Sequence, residues 1–205
     1  MGTVALFGGR AFEDIGENRR VGELLLSQSA QAGGSSGDEV LVVPTADAFE
    51  RPERLVATAV QWFSDLGASA RPLMVLTRRD ASDPEMVSAV ERARFAFLAG
   101  DSPLHLRSAL KDTPVWSALV ALAERGVVAA SGASAAGICD PMTDPRGGAF
   151  GLGLGLVRPL AVIHEAETWS FERLHRARQL ASGFTVATLP SGAVLLRREI
   201  GRAHV

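Results

Sequence analysis

Several residue patterns that mark specialised proteins are scarce in this chain, and each scarcity excludes a class of protein. The single cysteine, Cys139, cannot form an internal disulfide and leaves no thiolate cluster for zinc. Basic runs are absent, aromatic residues make up 6% and the formal net charge is −2 at pH 7, which disfavours nucleic acid and anionic membranes as partners. No apolar run approaches the roughly 20 residues of a membrane-spanning helix. Residues 1–10 lack the pattern of a signal peptide, so we predict a cytoplasmic protein.

The remaining composition is that of an ordinary globular protein. The chain has 205 residues, of which 47% are hydrophobic and 21% charged. This length suits one domain with a substantial core and is short for two. We therefore predict a single domain over residues 1–205.

Short apolar runs alternate with longer amphipathic segments. In residues 50–66, apolar side chains recur every three or four positions, which predicts a helix. Two further helices are expected from Pro84, capped by Ser82 or Asp83, and from Pro114, capped by Asp112 or Thr113. Predicted strands occupy residues 4–7, 40–43, 73–76, 95–98 and 127–130. Such strands, separated by helices, predict a mostly parallel sheet in a three-layer α/β/α sandwich.

Two other segments depart from this alternation. Residues 184–188 and 193–197 flank the turn sequence Leu189-Pro190-Ser191-Gly192, which predicts a β-hairpin at the sheet edge. Residues 31–38 are rich in glycine and serine, which predicts a flexible connection.

Ligands of open parallel sheets bind outside the carboxyl ends of the strands, so the residues just after each strand are the candidates for a site. Residues 126–137 form an apolar run that ends in Gly132-Ala133-Ser134-Ala135-Ala136-Gly137. This composition is typical of a sharp strand-to-helix turn that exposes a serine oxygen. Ser134 is therefore a candidate nucleophile. The alternative is a turn of small residues packed against a neighbouring strand.

A nucleophilic serine needs a base, and histidine is the usual one. His164 follows the apolar residues 158–163 and so lies at a strand end, which favours it. His105, on a helix beginning near Gly100, is a lesser candidate. His175 lies in a charged run and His204 near the end of the chain.

The acid that would orient His164 is expected between it and Ser134, where Asp140 and Asp144 are the available carboxylates. We choose Asp144, because neighbouring proline and glycine residues stiffen its loop. An aspartate that merely starts a turn before proline is the alternative.

Backbone N–H groups must also stabilise the oxyanion that forms after attack, and we predict Gly100 and Ala135 as donors. Substrate contacts are expected from strand-end loops at the same rim, where arginine suits a substrate carboxylate. The predicted substrate-binding residues are Gly9, Arg10, Asp101 and Arg146.

The order of motifs resembles the cyanophycinase and dipeptidase E family of serine peptidases. It comprises Gly8-Gly9, Val42-Val43-Pro44-Thr45-Ala46, Phe97-Leu98-Ala99-Gly100-Asp101, residues 130–137, Gly153-Leu154-Gly155-Leu156, His164 and Glu172-Arg173-Leu174. The resemblance spans nearly the whole chain. It implies a flavodoxin-like, class I glutamine amidotransferase-like fold.

The resemblance also implies cleavage of small peptides or peptide-like bonds involving aspartate, without a metal or other cofactor. The family's serine falls on Ser134, its histidine on His164 and its oxyanion donors on Gly100 and Ala135. The leading hypothesis is a serine hydrolase that acts on a small peptide or amide, with a homodimer as the expected assembly.

Two departures from the family's pattern keep other hypotheses open. Ala136 replaces the last glycine of the serine turn, and Ala99 replaces the first of two glycines before Asp101. The alternative is a catalytically degenerate member that binds a small metabolite or a protein partner. A third hypothesis, an amidotransferase that uses Cys139, requires that thiol at the turn, about five residues earlier.

Overall fold

A computed structural model of the chain describes residues 2–31, 39–144 and 146–198. Its ten strands are β1 (Thr3–Phe7), β2 (Glu39–Val43), β3 (Ser69–Pro72), β4 (Phe95–Leu98), β5 (Val127–Ser131), β6 (Met142–Thr143), β7 (Phe150–Gly151), β8 (Leu160–Ile163), β9 (Thr185–Thr188) and β10 (Val194–Arg198). Six of them form a sheet in the order β10-β1-β5-β4-β2-β3. All neighbours in this sheet are parallel except β1 and β10.

Seven helices connect these strands: α1 (Asn18–Gln31), α2 (Pro52–Asp65), α3 (Pro84–Arg92), α4 (Pro103–Leu110), α5 (Pro114–Arg125), α6 (Ala133–Ile138) and α7 (Phe171–Leu180). Leu25 of α1 and Phe63 of α2 pack on one face of the sheet, against β1 and β4. Helices α3, α4 and α5 bury apolar residues on the other face, where Leu119 of α5 is one example. The predicted α/β/α class with a mostly parallel sheet is therefore confirmed.

Local capping chemistry sets two of the helix starts, as the sequence predicts. The Asp83 side chain accepts a hydrogen bond from the Glu85 N–H at 2.8 Å, and Pro84 occupies the first helical position. The Thr113 hydroxyl accepts from the Trp116 N–H at 3.3 Å, at the start of α5.

The third strand lies earlier than predicted. The expected strand over residues 73–76 is wrong, because the strand at this edge is β3, Ser69–Pro72. Leu73 still donates its N–H to the Val42 carbonyl at 2.8 Å, but the chain then leaves the sheet. Leu73 and Val75 are apolar because they are buried in the core, and not because they belong to a strand.

The last two strands lie in different sheets. The predicted β-hairpin is wrong, because β9 and β10 do not pair with each other. β10 does lie at the sheet edge, antiparallel to β1, whereas β9 runs parallel to β8 in a separate two-stranded sheet. The turn at residues 189–192 thus carries the chain from one sheet to the other. The segment 32–38, which covers most of the predicted flexible connection, and His204 lie outside the described residues.

None of the helices in the described ranges has the length and apolar character that crossing a bilayer requires. The single-domain organisation stays a prediction.

Candidate active site

A cavity of about 490 Å³ opens at the carboxyl ends of β1, β4 and β5, beside the start of α2. Parallel strands present their carboxyl ends together, so the loops after them converge there. Its wall consists of Gly9, Arg10, Ala11, Phe12, Glu13, Asp47, Glu50, Arg51, Arg54, Leu55, Thr58, Ala99, Gly100, Asp101, Ser131, Gly132, His164 and Glu165. Sequence reasoning placed Gly9, Arg10, Gly100, Asp101 and His164 in one crevice, and all five lie on this wall.

A sharp turn at the end of β5 forms the inner part of the cavity. β5 ends at Ser131, α6 begins at Ala133, and Gly132 between them has φ 54° and ψ −125°. Strand-to-helix turns of this kind hold one residue in a strained conformation, with its side chain projecting from the end of the sheet. A Cβ atom on residue 132 would meet nothing nearer than the Gly9 carbonyl oxygen, at 3.8 Å. The projecting position is therefore open to the cavity and carries no side chain.

Ser134, the predicted nucleophile, does not lie on the cavity wall. Its side chain is 0% exposed, and its hydroxyl donates to the Gly100 carbonyl at 3.1 Å. Successive helical residues rotate by about 100°, so residue 134 points away from the direction that residue 132 faces. The role of Ser134 as the nucleophile stays a prediction, and the exposed position of the turn comes two residues earlier.

The N–H of Ala135, the predicted oxyanion donor, has a partner at the start of the helix. It donates to the Gly132 carbonyl at 3.1 Å and is not free to bind a ligand. The first N–H groups of a helix have no partner within the helix, and here they belong to Ala133 and Ser134. Within the described residues, the N–H groups of Gly100 and Ala133 donate to no backbone carbonyl. Gly100 and Ala133 thus offer the free donors at this turn.

His164 follows β8 and reaches the cavity with a side chain that is 16% exposed. Its Nδ1 atom is buried and has no hydrogen-bond partner among the described residues. Burial lowers the pKa of His164 below its ordinary value of 6.5, although the charges of Glu165 and Asp101 act in the opposite direction. The imidazole is therefore neutral at pH 7, the form that can accept a proton.

The carboxylate nearest to His164 was missed by sequence reasoning. An oxygen of Glu165 lies 3.9 Å from His164 Nδ1. Glu165 has a left-handed backbone conformation, with φ 46°, and its N–H donates to the Gly8 carbonyl at 2.6 Å. This strained residue is held on the cavity wall beside the imidazole. The sequence signal that could have identified Glu165 is its position directly after His164.

Neither of the acids predicted to orient His164 lies on the wall, and their role stays a prediction. Asp144 accepts a hydrogen bond from the Arg146 N–H at 2.9 Å, within the turn that joins β6 to β7. Asp140 accepts from the Gly153 N–H at 3.1 Å. Both carboxylates stabilise local turns, which is the alternative that the sequence left open for Asp144. Arg146 is exposed on the same turn and is also absent from the wall.

Two other candidates have structural roles. His105 Nε2 lies 2.8 Å from the Leu76 carbonyl oxygen, so this ring holds a loop in place. The Cys139 thiol donates to the Ala135 carbonyl at 3.2 Å, and burial raises its pKa to about 12. Such a thiol is inert as a nucleophile at neutral pH, which excludes the amidotransferase hypothesis based on Cys139.

Sequence reasoning also missed Ser131 and Glu50. Ser131 is 6% exposed, lies on the cavity wall and has no hydrogen-bond partner for its hydroxyl among the described residues. Glu50 and Asp47 bring carboxylates to the wall from just before α2. Burial, followed by the charges of Asp101 and Glu50, raises the pKa of Asp47. In the described part of the chain, no group of three or more possible ligands is arranged to hold a metal ion.

No protein-family model matches the sequence, and no curated protein matches it either. The structure is similar to the crystal structure of a peptidase from an acI-B1 actinobacterium, with a TM-score of 0.81 and 20% identity over 97% of this chain and 84% of that one. It is also similar to a protein assigned as peptidase E from Listeria monocytogenes EGD-e, with a TM-score of 0.60 and 14% identity over 97% and 98% of the two chains. The chain therefore has a peptidase E-like fold.

Proposed function

We propose that this chain binds a small peptide or peptide-like ligand in the cavity and does not form an acyl-enzyme with it. The cavity lies where peptidase-fold proteins are expected to bind ligands, at the carboxyl ends of the strands. The observation that carries the proposal is Gly132, which occupies the projecting position of the turn without a side chain.

Most of the parts that acyl transfer needs are present around this turn. Burial favours the neutral imidazole of His164, which can accept a proton, and the free N–H group of Gly100 on the cavity wall can hold a carbonyl oxygen. Serine chemistry also requires a hydroxyl between the base and this donor. With Gly132 in that place, a ligand carbonyl can be bound but not attacked from the turn.

A fluorophosphonate probe tests this proposal, because it labels serines that an adjacent base activates. We expect no labelling of the native protein, while dipeptides bind in a calorimetric titration. Ser134→Ala serves as a matched variant and should bind dipeptides as the native protein does. Labelling of the native protein at Ser134, lost in Ser134→Ala, would contradict the proposal.

A second candidate function is hydrolysis with Ser131 as the nucleophile. It is favoured by one observation, the unpartnered Ser131 hydroxyl on the wall of the cavity that also holds His164. In that case the Ser131 oxygen attacks the ligand carbonyl, and His164 takes its proton and passes it to the leaving amine. Labelling that disappears in Ser131→Ala and persists in Ser134→Ala would replace the first proposal with this one.

A further inference from the structure

The cavity wall carries an excess of negative charge that the protein itself does not neutralise. Five carboxylates face three guanidinium groups. Four of these carboxylates, those of Asp47, Glu50, Asp101 and Glu165, form no salt bridge with a lysine or arginine among the described residues. We call these four residues the acidic wall. Uncompensated carboxylates in a concave site favour a cationic ligand.

The members of the acidic wall are close enough to influence one another and His164. The charges of Asp101 and Glu50 reach Asp47, and those of Asp101 and Glu165 reach His164. All four residues of the acidic wall also line one cavity, together with Gly132 and His164.

The arginines of the wall leave this negative charge largely uncompensated. Arg10 forms an ion pair with Glu13, with 3.9 Å between Arg10 Nη1 and Glu13 Oε1. The charge of Arg10 lowers the pKa of Asp47, but it is the smallest of the influences on that carboxyl. Arg51 and Arg54, at the start of α2, lie on the wall but form no salt bridge with the acidic wall among the described residues. Neutral His164 adds no positive charge at pH 7.

A second, independent observation comes from Ser131. The residue is 6% exposed and lies on the wall of the same cavity, and its hydroxyl forms no hydrogen bond among the described residues. Buried polar groups normally have a hydrogen-bond partner, so this oxygen is suited to accept a bond from a ligand. A primary ammonium group has three donors and matches a combination of carboxylates and a hydroxyl.

We infer that the acidic wall and the Ser131 hydroxyl form a site for a primary ammonium group, such as the free amino end of a peptide. As a deepening of the proposed function, this inference rests on the cavity being a ligand site. It assigns the orientation of the ligand, with its amino group beside Asp101 and Glu165.

Calorimetric titrations at pH 7 with three probes test the inference: glycylglycine, N-acetylglycylglycine and n-butylamine. We expect glycylglycine to bind at least about tenfold more tightly than its acetylated form, and n-butylamine to compete with it. Asp101→Asn and Glu165→Gln should each reduce this preference for the free amine. Asp144→Asn, which changes a carboxylate away from the wall, is the matched control and should leave the preference unchanged.

The outcomes separate this inference from the function on which it rests. Equal affinity for the two dipeptides, or a preference that survives both wall variants, overturns the ammonium site and leaves peptide binding in place. Binding of n-butylamine that both wall variants weaken, with neither dipeptide bound, supports the ammonium site and overturns the proposed function. Failure of all three probes to bind overturns both.

Discussion

Ser131 and Ser134 lie on opposite sides of one turn, three residues apart, and have different surroundings. Ser131 ends β5, and its hydroxyl lies on the cavity wall without a partner among the described residues. Ser134 belongs to α6, and its hydroxyl is buried and bonded to the Gly100 carbonyl. The strand side of the turn thus presents groups to a ligand, while the helix side holds the wall together.

The difference follows from how strands and helices direct their side chains. Alternate residues of a strand face the same side, so Ser131 faces the same side as Ala129, toward α1 and α2. After Gly132 the chain becomes helical, and its side chains rotate away from that direction. Two serines in one short segment can therefore have unrelated roles.

Gly100→Ala should disturb both sides of the turn and have the largest effect. Gly100 has φ 122°, and a Cβ atom there would lie 2.5 Å from the Asp47 nitrogen and 2.6 Å from the Ala46 carbonyl carbon. Backbone strain combined with this overlap should cost about 3 kcal/mol or more of unfolding free energy, measured by urea denaturation, and weaken dipeptide binding. Gly67→Ala is the control, since Gly67 has φ 78° and open space around it. A loss of stability no larger than that of Gly67→Ala would show that Gly100 is not constrained as described.

Exchanging the two serines separately for alanine should produce opposite results. Ser134→Ala leaves the Gly100 carbonyl without its hydrogen bond and should cost about 1 to 2 kcal/mol of unfolding free energy, with unchanged ligand affinity. Ser131→Ala removes a hydroxyl that forms no hydrogen bond within the described chain, so stability should fall by less than the roughly 1 kcal/mol of a lost hydrogen bond. The affinity of the Ser131→Ala variant for n-butylamine should fall. Denaturation and titration are carried out on both variants. Equal changes in unfolding free energy and in ligand affinity would contradict the different roles assigned to Ser131 and Ser134.

Acid pH should reveal a smaller effect, which depends on His164. Because the pKa of His164 is lowered by burial, the unfolded chain binds more protons than the folded one as the pH falls below about 6.5. Stability should therefore decrease with falling pH in that range. The charge of Arg173 also lowers the pKa of His164 and strengthens this effect, whereas the charges of Glu165 and Asp101 raise that pKa and weaken it. Denaturation of His164→Asn should show a weaker pH dependence. An equal dependence in both proteins would show that His164 is not held neutral by the fold.

Much of the architecture could be predicted from the sequence because its signals are local. Apolar spacing located α2, and proline with a capping side chain located the starts of α3 and α5. The third strand was misplaced because Leu73 and Val75 are apolar for reasons of burial. Burial and strand pairing give the same signal in a short segment.

The site was predictable in location but not in the identity of every group. His164 and Gly100 follow apolar runs, and the convergence of strand ends places them in one cavity. Residues 126–137 contain only small or apolar side chains, so nothing in them marks where the strand ends. A shift of two residues then exchanges the exposed position for a buried one. Asp144, the predicted orienting acid, lies off the cavity wall because its carboxylate stabilises the β6–β7 turn, which was the alternative for this residue.

The most direct measurement is fluorophosphonate labelling of Gly132→Ser beside the native protein. Under the proposed function, the site lacks only a hydroxyl at the projecting position of the turn. The space around Gly132 accepts a Cβ atom, so a serine side chain can be introduced there. The variant should become labelled at that position and lose the labelling when His164→Asn is added, while the native protein and Gly132→Ala stay unlabelled. A folded Gly132→Ser protein that binds dipeptides and remains unlabelled would contradict the claim that Gly132 occupies the nucleophile position beside His164.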